Sequence, residues 1–162
     1  MVSKVMKTIL LGLGNPILRD DGVGWQVVQA IEEHFGKNLP PEIEIDCFPL
    51  GGISLMERLI GYDRAILVDA IQTKQSPPGT ISRLTLDDLP SIHANAIHDA
   101  ALKDALEFGR KLGAELPQEI VIYAIEAVDL WEFDEKLSPQ LETSVMPAAR
   151  AVLAEIDNWR NS

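Results

Sequence analysis

Thr8-Ile9-Leu10-Leu11-Gly12-Leu13 is a continuous apolar run that stops at Gly14-Asn15-Pro16. A short run without polar alternation, closed by turn residues, has the pattern of a strand covered on both faces, and such strands belong to parallel sheets flanked by helices. Ala65-Ile66-Leu67-Val68, ending on Asp69, and Glu119 to Ile125, with Ile120, Val121, Ile122 and Tyr123, repeat the pattern. Helical stretches lie between. From Asp21 to Phe35, apolar residues recur at Val23, Val27, Ile31 and Phe35, and Asp20 and Asp21 stand where a helix N-terminus favours negative charge. Gly51-Gly52 leads into Leu55, Met56, Leu59 and Ile60, and Ala100 to Leu112 carries Leu102, Ala105, Leu106 and Gly109 on one stripe. At the C-terminal end, Ser138 suits an N-cap and Pro139 a first helical position, with helical period from Val145 to Trp159 and a bend expected at Pro147.

Two further strands read as peripheral. After Pro40-Pro41, Glu42 to Phe48 alternates Ile43, Ile45 and Cys47 with charges, as an edge-ward strand does. Pro77-Pro78-Gly79 turns the chain into Thr80 to Leu84, a short alternating strand placed to run antiparallel. Alternating strands and helices predict an α/β fold, a three-layer α/β/α sandwich with a mostly parallel central sheet. No linker-like stretch divides residues 1–162, so one domain is expected.

The charge balance narrows the partners. Fourteen Lys plus Arg against 25 Asp plus Glu give a net charge of -11, a field that repels phosphate backbones and anionic lipid heads and favours metal cations and basic peptide segments. Nucleic acid and membrane are therefore disfavoured. Cys47 is the one cysteine, which rules out an internal disulfide and fits a reducing compartment, and its apolar neighbours predict a buried side chain. The first apolar run is too short for a signal core, so a cytoplasmic location is expected.

In sheets of this class, ligands bind beyond the carboxyl ends of the strands. Three polar positions meet that criterion: Asp21 after the first strand, Asp69 at the end of the Ala65–Val68 run, and His98 before a helix. Two carboxylates and an imidazole suit a borderline divalent ion such as nickel or zinc, and three ligands leave positions open for water or substrate. Without a metal, two neighbouring carboxylates can share a proton and act as acid and base. Each residue also has a plainer reading. Asp20 and Asp21 can cap a helix, Asp69 can accept hydrogen bonds from a loop, and His98 can pack or cap. His34, near a helix C-terminus, is assigned a structural role, while His93 is left undecided. Gly12-Leu13-Gly14 opens like a dinucleotide fingerprint, but Ile17 replaces the third glycine and Asp20-Asp21 would repel a pyrophosphate. Ser54 stands between strand and helix, yet Gly52-Ile53-Ser54-Leu55-Met56 lacks the second glycine of a nucleophile elbow.

Gly12-Leu13-Gly14-Asn15-Pro16-Ile17-Leu18-Arg19-Asp20-Asp21-Gly22-Val23-Gly24 resembles the opening motif of the nickel–iron hydrogenase maturation endopeptidases. The likeness continues through Val68-Asp69-Ala70-Ile71, Pro78-Gly79-Thr80 and the helix start at His98, and it departs at Gly52-Ile53-Ser54-Leu55, where relatives commonly carry Gly-Thr-x-Gly. The resemblance implies a five-stranded mixed sheet with one antiparallel strand. It also implies an endopeptidase, of aspartic-type or nickel-dependent mechanism, that removes a C-terminal extension from a hydrogenase large-subunit precursor once nickel is inserted. The family's catalytic and metal-contacting positions fall on Asp21, Asp69 and His98, with nickel supplied by the client and Gly22 and Gly24 keeping the loop close to it. A monomer is expected. The alternative reading is a non-catalytic nickel-binding maturation chaperone, and a small-molecule hydrolase using Ser54 ranks below both.

Overall fold

In the computed structural model, residues 2–89 and 97–162 are described, except for the side chains of residues 97–101. The three apolar runs form the middle of the sheet. Strands β1 (Thr8–Leu13), β2 (Ile43–Phe48), β3 (Arg64–Ile71), β4 (Ile81–Thr85) and β5 (Glu119–Glu126) are ordered β2-β1-β3-β5-β4. All neighbouring pairs are parallel except β4 with β5, which is antiparallel. The expected mixed α/β sheet is therefore present, with the alternating β2 and β4 at its two edges, where half-exposed strands belong.

Helices cover both faces. Leu10, Ile66, Val68, Val121 and Tyr123 point to one side, where Val23, Val27 and Ile31 of α1 (Val23–Phe35) and Ala148, Val152 and Ile156 of α5 (Val145–Arg160) bury them. Ile9, Leu11, Leu67 and Ile122 point to the other, under Leu55 and Leu59 at α2 (Gly52–Arg58) and Leu102 and Leu106 of α3 (Ile97–Lys111). This strict alternation of side chains is the period-2 geometry of a strand, doubled because both faces are covered. Among the described residues no helix is long and apolar enough to cross a membrane.

Three local expectations are corrected. β3 does not end on Asp69 but continues through Ala70 and Ile71, because β5 extends to Glu126 and gives Ala70 and Ile71 the partners Ile125 and Glu126. α1 begins at Val23 rather than Asp21, and residues 19–22 form a 3-10 turn in which neither acid caps the helix with its side chain. The C-terminal helical region is two helices, α4 (Pro139–Glu142) and α5, instead of one bent at Pro147. The break falls at Thr143–Ser144, where the Ser144 hydroxyl bonds Gly79 O at 2.8 Å, and Pro147 then sits in the first turn of α5, where its missing N–H removes no helical bond.

Candidate functional site

The loop between β1 and α1 is shaped by close backbone packing. A Cβ on Gly24 would lie 2.3 Å from Val68 O and 2.9 Å from Leu13 O, and one on Gly12 would lie 2.5 Å from Gly24 O. Only glycine at both positions allows the first turn of α1 to rest directly on β1 and β3. Gly14 adopts a φ of 106°, and a Cβ there would meet Asp21 O at 2.1 Å. The chain thus curls around Asp21, whose Oδ2 accepts the Asn15 N–H at 2.8 Å. Asp21 is partly buried.

Asp69 is reached from the neighbouring strand. Gly12 is paired with Val68, so β1 ends at the level where Asp69 begins, and the Asp21 loop and Asp69 share the carboxyl end of the sheet. Asp69 is 1% exposed, lies beside Ala124 of β5, and accepts the Ala70 N–H on Oδ1 at 2.9 Å. Period-2 alternation sets it on the α2/α3 face with Leu67 and Ile71. A carboxylate in that setting requires compensating hydrogen bonds or opposite charge.

His98 is the second residue of α3, and its side chain lies outside the described residues. The far end of that helix is placed by Gly61 N–H donating to Glu115 O at 2.9 Å, just before β3 begins. A helix of this length spans about 22 Å, which sets its first turn toward the carboxyl end of the strands. The structure therefore brings Asp21 and Asp69 to one end of the sheet and starts the His98 helix from that end. Among the described residues no group of three or more His, Cys, Asp and Glu side chains is placed to hold a metal ion. Two carboxylates and an imidazole remain chemically suited to a borderline divalent ion.

Two buried acids near this end escaped the sequence reading as contributors. Asp20 is fully buried, and its carboxylate accepts the N–H groups of Val128, Asp129 and Ser138 and the Ser138 hydroxyl, all between 2.8 and 3.0 Å. Together with Arg19 N–H to Asp134 O at 2.8 Å and Asp134 N–H to Ile17 O at 3.0 Å, it straps the Asp21 loop to the segment after β5. Glu126, at the end of β5, accepts the Thr73 N–H at 2.8 Å and the Thr73 hydroxyl, tying down the loop after β3. Its signal was available, since it follows Tyr123-Ala124-Ile125 as Asp69 follows its own apolar run.

Ser54 and His34 lie within helices. Ser54 lies within α2, one residue before buried Leu55. His34 sits exposed in the last turn of α1, edge-on to Phe35. His93 lies outside the described residues. Cys47 is half-buried rather than buried, because β2 is an edge strand, and desolvation, aided by the negative charges of Glu32 and Asp46, pushes its thiol up to about 11.

Comparison with known proteins identifies the family. A family model described as hydrogenase maturation protease matches residues 26–155. The chain is 31% identical over 153 residues to the hydrogenase 2 maturation protease of Escherichia coli (strain K12), covering 93% of this chain and 91% of that one. It is similar to the solved hydrogenase maturating endopeptidase HybD from E. coli, with a TM-score of 0.80 and 29% identity over 94% of this chain and 93% of that chain. The solution structure of an endopeptidase from Escherichia coli gives a TM-score of 0.75 at 29% identity, over 92% and 91% of the two chains. With the family model, the sequence relative and the shared fold in agreement, the chain belongs to the hydrogenase maturation proteases and is an endopeptidase of that family.

Proposed function

We propose that this endopeptidase removes the C-terminal extension of a nickel–iron hydrogenase large-subunit precursor after nickel has been inserted, and that the client's nickel is the tag it recognises. The observation that carries this reading is the gathering of Asp21 and Asp69 at the carboxyl end of the sheet in a chain of this family. Asp21, Asp69 and His98 are the residues assigned to meet the nickel, which the client supplies.

In this reading the client's metal polarises the scissile carbonyl. Asp21 or Asp69 accepts a proton from a water as its oxygen adds to that carbonyl carbon, the C–N bond breaks, and the departing amine takes up the proton. No serine or cysteine nucleophile is needed. The buried setting of Asp69 favours its contact with the client's nickel, since a carboxylate shielded from bulk water interacts strongly with a nearby cation. The reaction takes place in the cytoplasm, before the large subunit closes over its metal.

The test is incubation of nickel-loaded precursor with wild type and with Asp21→Asn, Asp69→Asn or His98→Ala, followed by mass spectrometry of the client. Each substitution is expected to leave the precursor full length, and normal cutting by all three overturns the assignment. Nickel-free precursor is expected to stay uncut. Its efficient cleavage replaces the metal-tag reading with one in which the two carboxylates share a proton.

A further inference from the structure

The segment after β5 presents a surface that the cleavage chemistry does not use. Residues 128–135 read Val-Asp-Leu-Trp-Glu-Phe-Asp-Glu, four apolar and four acidic side chains interspersed. Leu130 and Leu137 are buried in the core, but Trp131 is 60% and Phe133 is 80% exposed. The exposure does not come from a loose loop. Asp20 grips Val128 and Asp129, Asp129 Oδ1 accepts the Trp131 N–H at 2.7 Å, Asp134 is bonded to Ile17 and Arg19, and the Arg19 guanidinium pairs with Glu132 at 2.5 Å. Two large aromatic side chains held out to water on a fixed backbone forfeit burial energy in the free protein and mark an interaction site.

We propose that this loop is the client-docking arm of the protease, with Trp131 and Phe133 taking apolar side chains of an extended client segment whose neighbouring Lys or Arg meets Asp134 and Glu135. The proposal rests on the reading above and adds the chemistry of the segment recognised. Charge selects the occupant. Four acids lie in the loop against one cation paired to it, Arg19 on Glu132, and one next to it in sequence, Lys136, so a basic apolar segment is complementary. A second copy of the chain would set this acidic loop against its like on a molecule of net charge -11, which opposes a two-fold contact. The position also fits. The strap to Arg19 and Asp20 places the arm next to Asp21, so a client seated there is led to that carboxylate.

The experiment measures binding of nickel-loaded large-subunit precursor by surface plasmon resonance and, separately, its processing at increasing precursor concentration. A Trp131→Ala/Phe133→Ala variant is expected to raise both Kd and KM at least about tenfold, with kcat and Tm preserved. Glu135→Lys is expected to raise KM several-fold and to flatten its dependence on salt. Should the double variant not fold, Trp131→Gln and Phe133→Gln singly are held to the same standard. Unchanged Kd and KM overturn the arm and leave the protease reading intact. A fall in kcat with KM unchanged also overturns it, since the loop then acts in the chemistry. Precursor bound through these residues but never cut keeps the arm and sinks the protease reading. A wild-type dimer in sedimentation that the double variant dissociates assigns the surface to a second copy and overturns the proposal.

Discussion

Asp20 and Ser138 are 118 positions apart and are joined by two hydrogen bonds, from Ser138 N–H to Oδ1 at 2.8 Å and from the Ser138 hydroxyl to Oδ2 at 2.9 Å. This contact explains why Ser138, a good N-cap by sequence, makes no side-chain cap to α4, since its hydroxyl is committed to the loop that carries Asp21.

Asp20→Asn should therefore be strongly destabilising despite its near-identical shape. One carboxylate oxygen would become an NH2 facing donors, and hydrogen bonds to a charged acceptor are worth about 1.5–3 kcal/mol each. A loss of at least about 3 kcal/mol is expected, read from urea unfolding midpoints. Ser138→Ala removes one of these bonds and should cost about 1–2 kcal/mol. If Asp20→Asn unfolds at the wild-type urea concentration, the strap does not hold the loop.

Gly24→Ala tests the packing that seats the site. Its added methyl must displace Val68 O or Leu13 O, both of which are backbone and cannot move aside as a flexible side chain could. The first turn of α1 is expected to lift from the sheet at a cost of about 1–3 kcal/mol, carrying Asp21 with it. Processing of the nickel-loaded precursor should fall by more than the loss of folded protein accounts for. A variant that cuts at the wild-type rate shows that the turn does not position Asp21.

How much of this was legible in the sequence depends on whether the cause is local. β1, β3 and β5 are visible because a strand covered on both faces must be apolar throughout, and β2 and β4 because edge strands can alternate. Asp69 stands out as an acid within such a run. The same argument reaches Glu126, where a carboxylate in the run fastens the loop at Thr73. Asp20 could not be read this way. Its donors arrive from residues 108 to 118 positions later, so locally it looks like a charge at a helix start. The break before α5 was hidden for a similar reason, because Ser144 is held by Gly79 across the fold.

Acid should weaken the protein in part through three carboxylates at or near the surface. The N–H groups of Trp131 and Glu132 hold Asp129 below its ordinary value, the Lys4 ammonium and the Lys7 N–H do the same for Asp63, and the Tyr62 hydroxyl and Arg58 do so for Glu44. A folded-state pKa below the unfolded one means that the unfolded chain takes up protons first as pH falls. This stabilisation is complete above the ordinary carboxylate range, about pH 4, and is lost as pH drops below it through the folded values. Urea midpoints should be level from neutrality to about pH 5 and decline below about pH 4. A decline that begins above pH 6 assigns the loss to another group.

Alkaline behaviour has a separate origin in Cys47. Its thiol is pushed up to about 11, chiefly by desolvation, whereas a thiol in the unfolded chain titrates near about 8.5. At pH 8 the folded protein then holds on the order of a hundredfold less thiolate than a free cysteine, partly offset because a more basic thiolate is the better nucleophile. Alkylation by iodoacetamide should be about tenfold slower in the folded state than in urea. The sign for stability follows from the same shift. Below about pH 8.5 both states keep the proton and nothing is lost, but from there toward 11 only the unfolded chain releases it, so wild type should weaken relative to Cys47→Ala. Urea midpoints of the two proteins at pH 8 and pH 10.5 decide it: an equal decline in both shows that Cys47 does not titrate differently on folding.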